Sequence, residues 1–165
     1  MLEAATHGRP YAGGEASMAG YQRNLFIDHS PFSGWLNPLA PPMTLTSDGT
    51  EVVATVTFGA AYEGPPGHVH GGYVAAAFDE VLGFAQGLSG KPGMTAHLGI
   101  DYKSPTPLYL PLRFRGDIER IEGRKIFTRG ELRVATDDRL CATATGLFVS
   151  MRDDTFARLM RERGS

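Results

Sequence analysis

Cysteine is almost missing from this chain. Cys141 stands alone, so no internal disulfide can form and a reducing compartment is the expectation. A dominant charge sign is missing too: sixteen Lys and Arg against eighteen Asp and Glu leave a net charge of −2, which gives nucleic acid no basic field to bind. Long hydrophobic runs are absent. The longest, Tyr73-Val74-Ala75-Ala76-Ala77-Phe78, falls far short of the roughly 20 residues a membrane-spanning helix needs. The first residues lack the charged-then-apolar order of a signal peptide, because Glu3 and scattered Gly and Ala interrupt it. Neither internal repeats nor low-complexity tracts occur. The expectation is a soluble, cytoplasmic protein with no nucleic-acid or membrane partner.

What is present suits one domain. A chain of 165 residues, 42% of them hydrophobic, is long enough for a single core and short for two. Residues 1–20 are rich in Gly and Ala without periodicity and read as a loosely packed leader. Residues 21–42 form an irregular arm, broken by Pro31, Pro38, Pro41 and Pro42, with one helical turn and with Phe26 and Trp35 expected to pack on the domain. The domain itself spans residues 43–151. In the tail, residues 152–165, the spacing of Phe156, Leu159 and Met160 predicts a short amphipathic helix.

Within the domain the hydrophobic period is mostly two. Residues 51–58 set Val52, Ala54, Val56 and Phe58 on one face. Leu98, Ile100 and Tyr102 alternate with His97, Gly99, Asp101 and Lys103. Two further runs, built on Leu112, Phe114 and Ile118 and on Ile126, Leu132 and Val134, lead into residues 140–151. That last run has few charges and is expected to be central or buried on both faces. Turn clusters at residues 122–124 and 136–139 join the final three strands as a meander. Residues 73–86 instead read as one helix, whose only charges are Asp79 and Glu80, so most of its circumference must be covered. A curved antiparallel sheet of about five to six strands wrapped around one long helix meets that need. This is an α+β class chain with the hotdog arrangement, and pairing with a second copy would cover the open sheet edge.

The chemistry concentrates around that helix. It is preceded by Gly64-Pro65-Pro66-Gly67-His68-Val69-His70-Gly71-Gly72, so its first backbone N–H groups face outward with no side chain to shield them. Asp79 is either a buried structural carboxylate bonded to a hydroxyl or a general base. Glu80, about 100° further round the helix, reads as a surface or interface charge. His68 and His70 alternate as zinc ligands on a strand do, but no third ligand lies near them and the flanking glycines favour a turn, so no metal is expected. Cys141 reads as an inert buried thiol.

Four segments in order carry a specific likeness: Gly67-His68-Val69-His70-Gly71-Gly72 with Asp79, Met94-Thr95-Ala96-His97-Leu98, Tyr102-Lys103-Ser104-Pro105, and Glu122-Gly123-Arg124-Lys125. Together they resemble hotdog-fold acyl-CoA thioesterases of the phenylacetic-acid-pathway (PaaI-like) type, closest to the branch of thioesterase superfamily members four and five. The resemblance implies hydrolysis of an acyl-CoA, with coenzyme A as part of the substrate and no cofactor. It implies that the Gly71 N–H polarises the thioester carbonyl, that Asp79 acts as general base or nucleophile assisted by Thr95, and that His70 shapes the site. One departure stands out: some relatives place an Asn six residues before that histidine, where this chain has Gly64. Lys103, Arg124 and Lys125 have the charge to meet coenzyme A phosphates, or else decorate strand ends.

Geometry adds a constraint to these roles. A helix N-terminal N–H suits the oxyanion that develops during thioester hydrolysis, and a carboxylate among apolar side chains is, once ionised, a stronger base than a solvated one. Gly71 and Asp79, however, lie eight positions apart, about 12 Å along a helix. They cannot serve one carbonyl within one chain. The expectation is a homodimer, or a dimer of dimers, with two composite sites that each join Gly71 of one protomer to Asp79 and Thr95 of its partner. Two other functions compete: a hotdog hydratase or dehydratase, whose acid and His sit in a different context, and a non-catalytic acyl-CoA-binding protein, which would lack the helix carboxylate or carry a DNA-binding segment.

Overall fold

Among the described residues, alternating apolar residues draw the chain into six strands, an alanine-rich stretch forms the long helix, and tail residues 154, 155, 158, 161 and 162 are also helical. The computed structural model describes residues 30–34, 37–91, 93–152, 154, 155, 158, 161 and 162. In chain order the elements are β1 (Thr44–Ser47), β2 (Glu51–Val56), a 3-10 turn (Ala60–Tyr62), α1 (Gly71–Gly87), β3 (Gly93–Tyr102), β4 (Leu112–Glu122), β5 (Lys125–Val134) and β6 (Leu140–Ser150). The strands form one antiparallel sheet in the order β1-β2-β4-β5-β6-β3. One face of this sheet wraps α1, which is the hotdog arrangement. The opposite face carries ion pairs such as Arg115 with Glu51 and Arg129 with Asp117.

The helix is held by Val74, Ala77, Phe78, Val81, Leu82 and Ala85, all buried against Val52, Ala54, Phe114, Ile126, Leu132 and Phe148 of the sheet. Phe78 meets Phe114 edge-on, with ring centroids 5.0 Å apart. Close approach depends on Gly116 and Gly130, paired across β4 and β5. A β-carbon on either would come within 3.1 Å of the Leu82 side chain. Leu82 therefore seats the helix directly on the sheet, a burial worth about 1.5–3 kcal/mol.

Some expectations need correction. β2 ends at Val56, and Phe58 is buried from the segment that follows. β1 joins as an edge strand that the alternation did not single out. β3 begins at Gly93 rather than near His97, because a bulge between Thr95 and His97 interrupts the period. β6 is an inner strand, between β5 and β3 as expected, but it is not buried on both faces: Cys141 and the even-numbered residues 142–150 are buried, while Thr143, Leu147 and Val149 are half-buried and Thr145 is exposed. The leader, Phe26, Trp35, Phe156, Leu159 and Met160 lie outside the described residues.

Candidate functional site

The start of α1 is built to leave one donor free. His70 is its N-cap, and its Nδ1 accepts from Gly72 N at 3.0 Å, which makes Nε2 the protonated nitrogen of the neutral ring. The His70 carbonyl accepts from Tyr73 N at 2.9 Å and Val74 N at 3.3 Å. Of the first four N–H groups, only that of Gly71 has no acceptor among the described residues, and it carries the partial positive charge of the helix terminus. Gly71 is held from behind, since its carbonyl accepts the Tyr102 hydroxyl at 2.7 Å.

The loop before the helix explains the departure at Gly64. Its N–H donates to His68 O at 2.9 Å, and a β-carbon there would lie 2.7 Å from the His70 α-carbon. As the loop stands, no side chain fits at position 64, Asn included. His68 is directed elsewhere, with Nδ1 2.9 Å from Pro66 O. No group of three or more His, Cys, Asp or Glu able to hold a metal ion occurs among the described residues.

Two turns along the helix, Asp79 is half-buried and accepts the Thr95 hydroxyl on Oδ1 at 2.8 Å. Its Oδ2 accepts no hydrogen bond among the described residues, so a base with one oriented oxygen and one open oxygen results. Thr95 reaches it because of the bulge. After the bulge Leu98, Ile100 and Tyr102 face α1; strict alternation back from Leu98 would put Thr95 on the outer face with His97. The extra residue, Ala96, restores Thr95 to the helix side, opposite the buried Phe148. Bulges commonly re-aim a side chain in this way.

Glu80 departs from the expectation of a surface or interface charge. It is half-buried, and its Oε1 accepts the hydroxyls of both Ser30 and Ser33. The three cations also separate. Lys103, 3.8 Å from Asp101, bonds through its N–H to Cys141 O, while Arg124 Nε donates to Ser150 O at 2.9 Å and Lys125 pairs with Val149. These are opposite ends of β6, about 30 Å apart at strand rise, so one protomer does not bring them together. Tyr102, the Ala96 bulge and the serine partners of Glu80 escape sequence reasoning; the sole available signal is that Tyr102 shares a face with Leu98 and Ile100.

Among the described residues no helix is long and apolar enough to cross a membrane. Residues 66–142 match the sequence model of the Thioesterase superfamily. Among curated proteins, acyl-coenzyme A thioesterase THEM4 of Xenopus laevis is 40% identical over 89 residues, covering 54% of this chain and 40% of that protein. THEM4 of Rattus norvegicus is 35% identical over 106 residues, covering 62% and 44%. The chain thus spans less than half the length of these curated relatives. A solved structure of a thioesterase superfamily protein is 49% identical with a TM-score of 0.69, covering 74% of this chain and 63% of that one. The PaaI protein of E. coli, from the phenylacetic acid degradation operon, shares the fold at 17% identity and a TM-score of 0.62, over 67% of this chain and 80% of that one. Residues 66–142 of this chain thus resemble the Thioesterase superfamily, and the fold is the hotdog fold of these neighbours.

Proposed function

We propose that the protein hydrolyses a fatty or aromatic acyl-CoA to the free acid and coenzyme A, at composite sites formed by a homodimer. Water attacks the thioester carbonyl carbon while Asp79 accepts its proton, or Asp79 attacks first and water then cleaves the anhydride. In either route the C–S bond breaks and the thiolate of coenzyme A leaves and is protonated. The Gly71 N–H stabilises the oxyanion, and His70 keeps that N–H in place through its cap on Gly72. No metal or redox group takes part.

The observation that carries this reading is the position of two half-sites on one edge strand. Thr95, bonded to Asp79, lies near the start of β3, and Tyr102, bonded to Gly71, lies at its end. Among the described residues β3 pairs with β6 alone, which leaves a ten-residue edge with Met94, Thr95, Ala96 and His97 exposed. Such an edge is a template for another strand. A twofold axis would set two β3 strands antiparallel and bring Gly71 of one protomer beside the partner's Asp79 and Thr95. The same pairing would bring Lys103 of one protomer toward the partner's Arg124 and Lys125, which supports their assignment to coenzyme A phosphates. The names of the THEM4 relatives support the substrate class.

The test is thiol release from a panel of acyl-CoAs by wild type, Asp79→Ala, Gly71→Val and a refolded equal mixture of the two variants. Each variant alone is expected to be inactive, and the mixture to recover about a quarter of wild-type activity, since half the dimers are mixed and each holds one intact site. No thiol release from any acyl-CoA by wild type defeats the function. An inactive mixture whose mixed dimers are verified defeats the shared site.

A further inference from the structure

We infer that Tyr102 is a positioning residue that fixes the Gly71 N–H in the direction a thioester carbonyl requires. The inference rests on the thioesterase reading and gives a role to a side chain outside the Asp79, Thr95, Gly71 and His70 set. Two consecutive glycines are the least favourable way to begin a helix, since each has more backbone freedom to lose than any other residue. Something must hold them. The peptide joining Gly71 to Gly72 is gripped at both ends: Tyr102 Oη donates to its carbonyl oxygen at 2.7 Å, and its N–H donates to His70 Nδ1 at 3.0 Å. The preceding peptide is gripped at its carbonyl by Tyr73 N and Val74 N, and His70 N is anchored on Tyr62 O at 2.8 Å. With these contacts made, the Gly71 N–H has one direction to point.

Tyr102 can do this from β3 because it lies on the helix-facing side of the strand, opposite the buried Ala142. Partial burial pushes its phenol above the ordinary value, so the hydroxyl remains a donor throughout the neutral range. The residue is 54% exposed in the protomer, so it takes little part in the core. A donor that is already oriented does not have to reorganise as charge builds on the substrate oxygen. Loss of the hydroxyl is therefore expected to appear in the chemical step more than in substrate binding.

The experiment compares wild type with Tyr102→Phe, which keeps the ring. The expected result is a kcat lower by roughly three- to tenfold, the range set by one ordinary hydrogen bond, with KM within about twofold. Amide exchange at Gly72, whose N–H belongs to the peptide that Tyr102 grips, should accelerate by a similar factor while exchange in β4 and β5 stays unchanged. If the variant is less stable, kcat per folded molecule well below its thermal midpoint is the quantity compared. Wild-type kcat with wild-type exchange at Gly72 overturns the inference and leaves the thioesterase reading intact, as does a rise in KM alone. A wild type inert toward every thioester overturns the reading beneath it, whatever the exchange shows.

Discussion

Thr95 donates its hydroxyl to Asp79 Oδ1 at 2.8 Å across sixteen residues of sequence, and among the described residues nothing donates to the second carboxylate oxygen. This pairing fixes the rotation of the carboxylate and so the direction in which its free oxygen can accept a proton. Thr95→Val keeps the shape and removes the donor; Thr95→Ser keeps the donor. Hydrogen bonds to charged groups contribute about 1.5–3 kcal/mol, so Val should lower kcat roughly ten- to hundredfold while Ser stays within a few-fold. Thr95 is exposed, so Ser should melt close to wild type, and the Val variant is compared per folded molecule well below its thermal midpoint. Equal activity of the Val and Ser variants would mean that the hydroxyl has no part in orienting Asp79.

Gly71 and Gly72 are neighbours with different reasons for being glycine. A β-carbon on Gly71 would lie 3.4 Å from the Tyr102 hydroxyl, an ordinary contact, and Gly71 is not among the glycines at positive φ. Alanine therefore fits the protomer, and Gly71→Ala should raise stability by about 0.4–1 kcal/mol through the unfolded chain. Activity should nonetheless fall about tenfold or more, because the methyl occupies the approach to the N–H. On Gly72 a β-carbon would sit 3.0 Å from His70 Nδ1, so Gly72→Ala should weaken the cap and cost about 1 kcal/mol. Chemical denaturation of both variants beside thiol release gives the two signs. Destabilisation by Gly71→Ala would show that its glycine serves the fold.

The β1–β2 turn carries a pH dependence. Asp48 accepts from Glu51 N, Thr50 N and the Thr50 hydroxyl at 3.0, 2.8 and 2.7 Å. The Glu51 N–H, followed by the Thr50 hydroxyl and N–H, holds its carboxyl down from 3.8 to about 2. The folded state favours the ionised form, so the contribution is complete above the ordinary value and is lost as pH falls through about 2. The stability difference between wild type and Asp48→Ala should be constant near neutrality and shrink below pH 3.8. A difference that instead grows on acidification would contradict this sign.

The strands and helix were legible because alternation in β2, β4, β5 and β6 and the uncharged flank of α1 each follow one period over many residues. The contact of Thr95 with Asp79 was legible because their segments stand in a familiar order. The bulge was not, since a single extra residue such as Ala96 leaves no trace in composition yet reverses the face of everything before it. Contacts between distant positions were equally hidden: Tyr102 with Gly71, and Glu80 with Ser30 and Ser33, depend on how the sheet and arm close over the helix. The separation of Lys103 from Arg124 and Lys125 follows from β6 lying between them, which charge alone does not reveal.

Glu80 ties the arm to the helix that carries the site. Its Oε1 accepts from Ser30 and Ser33, while Ser30 Oγ accepts from Phe32 N at 3.2 Å and Ser33 N at 3.3 Å. The turn so formed seats the buried Phe32 with its ring centroid 6.3 Å from that of Tyr73, which in turn meets Tyr62 edge-on at 4.9 Å. Removing the carboxylate leaves the partly buried Ser30 hydroxyl without its acceptor and frees the turn. Glu80→Ala should therefore cost about 1–3 kcal/mol. Glu80 also neighbours Asp79, so a loss of activity alone would be ambiguous. A double-mutant cycle with Ser33→Ala removes the ambiguity: the two changes should couple by about 0.5 kcal/mol or more in denaturant unfolding. Strict additivity would mean that Glu80 does not hold the arm through Ser33, and wild-type stability of Glu80→Ala would remove the pin altogether.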